Sequence, residues 1–282
     1  MKNKIKSLYR FLSPKFQNVF FDYEVEPKPR YGHGLPPHKQ LLDIISANDS
    51  VYESILLEAL QHKDVFCQIK NVPDGLNPHY NNDFLPGLDM VGIYTMLAKY
   101  KPEKYVEVGS GNSTKVAHHA VKTCGLSTEI ISMDPYPRAE IDQLANKIVR
   151  QPFEKSDFDF LFQLKENDIL FIDNSHRILP NSDAMVFFME VMPRLAKGVI
   201  VHIHDIYLPY DYPQFMCDRF YSEQYGLAFY LLANPAKYQT IFPCYYISEH
   251  KKLSQILNPV WEQPNLAGVE RHGGSYWLNI GE

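Results

Sequence analysis

The feature that most constrains this chain is an apolar strand followed at once by a glycine-rich turn and a helix start, over residues 105–114. Gly109 and Gly111 allow the backbone to turn sharply and to approach a ligand closely. The backbone N–H groups at the start of the following helix face the same point, which is typical of a nucleoside-cofactor site. The identity of that cofactor therefore decides the class of protein.

Two residues in this turn distinguish between cofactors. A dinucleotide fingerprint needs a third glycine at the position that Thr114 occupies. Glu107 lies two residues before the first glycine, where its carboxylate would repel a diphosphate and suit an ammonium group. S-adenosylmethionine carries an ammonium and no phosphate, so the turn favours it over NAD.

A second anchor follows about one strand–helix unit later. The β-branched strand at residues 129–133 ends in Asp134 and Pro135. A carboxylate in this place accepts hydrogen bonds from ribose hydroxyls. Asp134 would serve NAD equally well, so it supports a nucleoside without choosing between the two cofactors.

Composition and charge exclude several classes of protein. Of the 282 residues, 45% are hydrophobic, which is ample for a buried core, and the formal net charge is −5. A nucleic-acid-binding domain is normally basic, so nucleic-acid partners are disfavoured. No apolar run reaches the roughly twenty residues of a membrane span.

The cysteines and the N-terminus indicate the cellular compartment. No CxxC pair occurs among the four cysteines, which favours reduced thiols in a cytoplasmic protein over a zinc site or disulfides. Residues 1–16 are basic, but Arg10 interrupts the apolar run before it reaches signal-peptide length. A solvated helix is expected there, with an amphipathic helix on an anionic membrane as the alternative.

The order of apolar segments predicts an α/β fold with a doubly wound, mostly parallel sheet that helices cover on both faces. Residues 1–80 are rich in proline and aromatic residues and are predicted to form an N-terminal appendage to a catalytic domain at residues 81–282. Strands are expected near 104–108, 129–133, 147–150, 168–172, 198–203, 239–247 and 275–280. Helices are expected near 50–62, 89–100 and 214–233.

Acidic residues also finish two later strands. Asp173 follows one strand and His204-Asp205 finishes the next, so the three side chains are expected to meet if these strands pair. Two carboxylates and an imidazole can hold magnesium or manganese. They can equally form a metal-free pair in which Asp173 orients a histidine base, for which His176 on the following loop is the candidate.

Two segments are candidates for covering such a site. Residues 207–212 hold three tyrosines and a proline, which suits a lid over a flat or sugar-like acceptor, although ordinary packing is an equal alternative. Residues 30–38 are predicted either to close over the acceptor site or to form a subunit contact in a homo-oligomer.

These motifs together resemble class I S-adenosylmethionine-dependent methyltransferases of the bacterial "methyltransferase domain 24" type. The resemblance rests on residues 107–114, Asp134-Pro135, residues 171–176 and residues 202–206. It implies a seven-stranded sheet of the Rossmann-like methyltransferase kind, with Glu107 near the methionine amine and Asp134 on the ribose. The cofactor-binding residues that it implies are Glu107, Gly109, Ser110, Gly111, Asn112, Ser113 and Asp134.

Related sugar O-methyltransferases bind magnesium through aspartates at the ends of the fourth and fifth strands, beside a base. By position this implies a metal site of Asp173, His204 and Asp205, with His176 and Asp173 as catalytic residues. The predicted function is methyl transfer to an oxygen of a small polar acceptor such as a sugar or glycan precursor. The alternatives are an NAD-dependent oxidoreductase and a non-catalytic cofactor-binding protein on the same fold.

Overall fold

A computed structural model describes residues 9–14, 17–137 and 140–282. Residues 9–12 are helical, and the rest of the helix predicted for residues 1–16 lies mostly outside the described part of the chain. The described chain contains no helix that is long and apolar enough to cross a membrane.

The centre of the molecule is one seven-stranded sheet in the order β3-β2-β1-β4-β5-β7-β6. Strands β1 to β5 pair in parallel, and β7 runs antiparallel to both of its neighbours. The predicted fold class is confirmed. The strands are β1 (Lys104–Val108), β2 (Glu129–Met133), β3 (Lys147–Val149), β4 (Ile169–Ile172), β5 (Ile200–Ile203), β6 (Tyr238–Pro243) and β7 (Tyr276–Ile280).

Strand register decides where the functional residues meet. Val108 is level with Met133 on β2 and with Ile172 on β4, and Ile172 is level with Ile203 on β5. The residues that follow these four strand ends therefore lie along one edge of the sheet. This edge collects the glycine turn and the acids that the sequence analysis singled out.

Helices flank the sheet. They are α1 (Lys39–Ser46), α2 (Asp49–Leu60), α3 (Lys63–Gln68), α4 (Gly87–Tyr100), α5 (Asn112–Thr123), α6 (Asp183–Val186), α7 (Gln214–Cys217), α8 (Glu223–Ala233), α9 (Cys244–Glu249) and α10 (Asn258–Trp261). A π-helical turn, Phe187–Val191, and a 3-10 turn, Met192–Arg194, continue α6 towards β5.

Two predicted elements have different bounds in the structure. The helix expected over residues 214–233 divides into α7 and α8, with Phe220 between them in a left-handed conformation at φ 56°. The strand expected over residues 239–247 ends at Pro243, and α9 begins at the next residue. Proline cannot donate to a sheet ladder, which accounts for the strand end.

One hydrophobic core joins the sheet to the N-terminal helices. Leu41 and Ile45 of α1 and Tyr52 of α2 belong to the same buried cluster as the sheet residues. The boundary proposed at residue 80 stays a prediction. All four cysteines, Cys67, Cys124, Cys217 and Cys244, are free thiols.

Candidate functional site

The turn after β1 closes around Gly109. This residue has a φ of 83°, and its N–H donates to the Met133 carbonyl at 3.0 Å. A β-carbon at this position would lie 1.9 Å from the carbonyl oxygen of Asp173. Only glycine fits, because both the left-handed conformation and the contact exclude a side chain.

Glu107 organises the helix that follows the turn. Its side chain is fully buried and accepts hydrogen bonds from Ser113 Oγ at 3.0 Å and from the Thr114 hydroxyl. Thr114 Oγ1 in turn accepts from Gly111 N at 3.1 Å. Burial raises the pKa of Glu107 to about 8, against the opposing effect of the two hydroxyl groups.

Thr114, which replaces the third glycine of a dinucleotide fingerprint, therefore connects the turn to the Glu107 carboxylate. From the sequence, Thr114 could be interpreted only as a departure from that fingerprint. The contacts of its hydroxyl depend on the three-dimensional path of the backbone between the turn and α5, which the sequence does not reveal.

Asp134 closes the end of β2 against the same turn. Its Oδ2 accepts from Ser110 N at 2.8 Å and from Ser110 Oγ at 3.3 Å, and its Oδ1 accepts from Tyr136 N at 2.7 Å. A carboxylate has about four lone-pair positions, so capacity for a ligand hydroxyl remains. The carboxylate is held in place at the cavity wall.

A cavity of about 250 Å³ opens beside Asp134. Gly109, Asp173 and Asn174 contribute to its lining. Asn174 is 9% exposed, and no described residue accepts a hydrogen bond from its Nδ2 atom. A buried polar atom without a protein partner at a cavity wall is suited to a polar ligand.

A narrower space of about 30 Å³ lies on the other side of Ser110, along residues 110–113 and beneath Phe84. Ser110 and Asp173 line both spaces. An elongated nucleoside cofactor along this turn would contact Asp134 in the larger space and residues 110–113 in the smaller one, whereas Glu107 is fully buried and lines neither space. The predicted cofactor residues thus lie together, although their individual roles stay predictions.

The acids after β4 and β5 also meet, as their register requires. His176 Nε2 lies 3.7 Å from Asp173 Oδ1 and 3.4 Å from Asp205 Oδ2. His204 Nδ1 lies 3.7 Å from Asp173 Oδ1 and 3.5 Å from Asp205 Oδ1. Two imidazoles and two carboxylates therefore share one small volume.

Two further carboxylates, which the sequence analysis missed, lie next to the ring nitrogens of these imidazoles on the side away from the cavity lining. Glu223 at the start of α8 is fully buried, with Oε1 2.6 Å from His176 Nδ1. Asp89 in the first turn of α4 is also fully buried, with Oδ2 3.5 Å from His204 Nε2. Asp89 also accepts from the N–H groups of Gly274 and Ser275, so it fixes the chain entering β7.

These carboxylates change the protonation of both histidines. Burial alone would lower the pKa of His176, but the Glu223 carboxylate reverses that effect and raises it to about 9. Burial likewise opposes the charge on His204, and Asp205 and Asp173 raise its pKa well above the usual value. His176 is therefore predominantly imidazolium at neutral pH.

The predicted metal ligands Asp173, His204 and Asp205 lie together in the structure. Both ring nitrogens of His204 face carboxylates, Nδ1 towards Asp173 and Asp205 and Nε2 towards Asp89. Within the described ranges, no group of three or more His, Cys, Asp or Glu side chains is arranged to hold a metal ion. The magnesium or manganese site stays a prediction that this geometry disfavours.

A second, wider cavity of about 740 Å³ lies on the far side of Asp173. Tyr207 lines it, as the predicted lid requires, whereas Tyr212 is fully buried, and its hydroxyl accepts from Gln224 N at 3.1 Å. Within residues 207–212, Tyr207 is therefore placed as a lid residue would be, whereas Tyr212 has an ordinary packing role.

Residues 30–38 lie against this cavity. Arg30 N donates to Asp211 Oδ2 at 2.9 Å, and His33 Nε2 lies 2.9 Å from the Asp211 carbonyl oxygen. His33 also lines the wide cavity. The segment thus forms part of the cavity wall, and its role in a subunit contact stays a prediction.

Residues 106–206, about a third of the chain, match a family that is described as a methyltransferase domain of the type 24 group. This match confirms the resemblance inferred from the motifs. A comparison with curated proteins gave no match.

Several solved structures resemble the chain at low identity. The methyltransferase PaMTH1 of Podospora anserina, bound to SAH, is 14% identical over 89% of this chain and 100% of that chain, with a TM-score of 0.38. The plantazolicin methyltransferase BpumL with SAH is 11% identical over 86% of this chain and 100% of that one, with a TM-score of 0.38. A structure of cmcI with SAH is 17% identical over 68% and 76%, with a TM-score of 0.36. Similarities at these TM-scores carry no functional argument.

Proposed function

We propose, on the match of residues 106–206 to a methyltransferase domain, that this S-adenosylmethionine-dependent methyltransferase methylates an oxygen of a small polar acceptor such as a sugar. The observation that carries the oxygen assignment is the position of Asp173. This residue lines the 250 Å³ cavity, the 30 Å³ space and the wide cavity. An acceptor in the wide cavity would meet the cofactor at this carboxylate.

The cofactor supplies an electrophilic methyl group on a sulfonium, and the protein positions the acceptor for an in-line displacement. Asp173 accepts a hydrogen bond from the acceptor hydroxyl and directs the oxygen lone pair towards the methyl group. His176, in its neutral form, takes the hydroxyl proton through Nε2. Transfer to a hydroxyl needs such a base, whereas a neutral amine already presents a lone pair.

Neither alternative function is favoured. An NAD-dependent oxidoreductase would need room for a diphosphate where Thr114 and Glu107 are joined by a hydrogen bond. A non-catalytic binding protein would tolerate loss of His176, so a His176→Ala variant that retains full methyl transfer would support it. The cytoplasmic location and a homo-oligomer remain part of the proposal.

Alanine at position 134 tests the cofactor site. We expect Asp134→Ala to weaken SAH binding at least about tenfold, because the ribose hydroxyls lose a charged acceptor and the turn loses its anchor at Ser110 N. Calorimetric titration of purified protein measures the affinity. Asp157→Ala is the matched control, since Asp157 also accepts from the N–H two residues later, at 3.1 Å, but lies outside the cavity. Equal SAH affinity in wild type and Asp134→Ala would contradict the assignment.

Glu107 should make cofactor binding depend on pH. With a pKa of about 8, this carboxyl is mostly protonated in the free protein at neutral pH. An ammonium group favours the ionised form, so binding should release a proton, and SAH affinity should rise with pH up to about 8 and level off above it. The enthalpy of binding, measured in buffers that differ in ionisation enthalpy, reports the proton. Glu107→Gln should remove the pH dependence; a flat profile in wild type would exclude this role.

A further inference from the structure

The wide cavity has an excess of negative charge. Three carboxylates lie at its exposed rim, on Asp83, Glu249 and Glu270, and two lie at its floor, on Asp173 and Asp205. In the part of the chain that the structure describes, the lining holds a single arginine and no lysine; the arginine is Arg219. The cavity therefore attracts cations and repels anions.

The imidazoles on the floor do not reverse this charge. His176 lies 2.6 Å from Glu223, and His204 lies 3.5 Å from Asp89. Glu223 and Asp89 do not belong to the cavity lining, yet each is fully buried against its histidine. Even with both imidazoles charged, the five carboxylates of the lining outnumber the two imidazolium groups and Arg219, so the cavity stays negative.

Aromatic rings supply a second, independent feature. Tyr207, Tyr221 and Tyr245 all line the cavity. The ring centroids of Tyr207 and Tyr245 are 4.5 Å apart, whereas the ring of Tyr221 stacks on His176 at 4.6 Å and has the Arg177 guanidinium 5.4 Å from its centroid. The faces of tyrosine rings attract organic cations, so Tyr207 and Tyr245 are the rings available to an ammonium group.

We propose, on the premise of the O-methyl transfer above, that the acceptor carries a positive charge, as an amine-bearing sugar or polyol does. Its ammonium group lies between the rings of Tyr207 and Tyr245 and the rim carboxylates of Glu249 and Glu270. Its hydroxyl lies at Asp173, where the methyl group is transferred. Carboxylates at the rim also concentrate a cationic acceptor at the mouth of the cavity.

Three matched probes test this inference, namely D-glucosamine, N-acetyl-D-glucosamine and D-glucose, titrated by calorimetry into SAH-loaded protein at a slightly acidic pH that keeps the sugar amine protonated. We expect glucosamine to bind about tenfold tighter than either neutral sugar, since a tenfold ratio is within the reach of one cation–π contact joined with an ion pair. The preference should shrink in high salt, which screens exposed charges.

The double variant Glu249→Gln with Glu270→Gln should lose most of that preference. Glu262→Gln is the control, because Glu262 is an exposed glutamate outside the cavity. Equal binding of the three sugars, tighter binding of a neutral sugar, or no binding of glucosamine would overturn the inference. Failure of the proposed function looks different, since SAH itself would not bind, or the product's methyl resonance would report N-methylation.

Discussion

Replacing Gly109 by alanine is expected to abolish cofactor binding. The new β-carbon would lie 1.9 Å from the Asp173 carbonyl oxygen, far inside van der Waals contact, so the turn or the end of β4 must move. Either movement displaces Asp173 and opens the spaces on both sides of Ser110. We expect SAH affinity to fall more than about a hundredfold, or about 2.7 kcal/mol, measured by calorimetry.

Gly125→Ala separates this contact from backbone strain. Gly125 also has a left-handed conformation, at φ 63°, but a β-carbon there meets nothing within 4 Å. Alanine at position 125 should cost about 1 kcal/mol of unfolding free energy and leave SAH affinity unchanged. If the two variants lose the same stability in urea and both retain SAH binding, the close approach of Gly109 to Asp173 has no functional importance.

The sheet edge could be predicted because parallel register is a simple geometric rule. Gly109, Asp134, Asp173 and His204 each follow a strand, and the strands that they follow pair side by side. Because the strands could be identified from apolar runs, and because parallel neighbours end at the same edge of a sheet, the residues after their carboxyl ends could be predicted to lie together. Two elements had the wrong bounds, because the left-handed turn at Phe220 and the end of β6 at Pro243 interrupt apolar runs that continue past them.

The carboxylates behind the histidines could not be predicted in the same way. Glu223 lies 47 positions from His176 along the chain, and Asp89 lies on a helix before β1. Their contacts depend on how α8 and α4 pack against the sheet. Helical periodicity predicts which face of a helix is apolar, but it does not predict which loop packs against the first turn of that helix. The signal that the sequence did offer was an acidic residue, Asp89, in the first turn of an otherwise largely apolar helix.

The position of Glu223 is itself fixed by the loop that carries His176. Ser222 N donates to the His176 carbonyl at 2.9 Å, and Ser222 Oγ accepts from Ile178 N at 2.9 Å. These bonds tie the start of α8 to the loop after β4. The loop residue His176 has a φ of 63°, which turns its ring towards both Glu223 and the floor of the wide cavity. The base and its partner therefore form one hydrogen-bonded unit.

Neutralising Glu223 should weaken this unit in a pH-dependent way. Glu223→Gln leaves the imidazolium without its carboxylate, and breaking a buried pair by removing one partner costs about 3–5 kcal/mol, less here because the amide still accepts a hydrogen bond. The pKa of His176 is raised to about 9, so its stabilising contribution is complete below its unfolded value of roughly 6.5 and is lost as pH rises through 9. Burial also raises the pKa of Glu223 from 4.5 to about 7, so its contribution is likewise lost as pH rises, but at lower pH, through that interval.

The stability difference between wild type and Glu223→Gln, measured by urea unfolding, should therefore be largest below about pH 5 and shrink as pH rises towards about pH 10. In the transfer reaction, the rate of wild type should rise with pH with its midpoint near 9, where half of His176 is neutral, and should level off above about pH 10. In the variant, the midpoint should move towards the ordinary imidazole value of roughly 6.5, and the plateau should fall about tenfold because the ring loses its orienting carboxylate. SAH affinity should not change. Glu53→Gln, on the exposed face of α2, is the matched control. An unchanged rate midpoint in Glu223→Gln would mean that His176 is not the base, and the carboxylate of Asp173 would then have to accept the acceptor's proton directly.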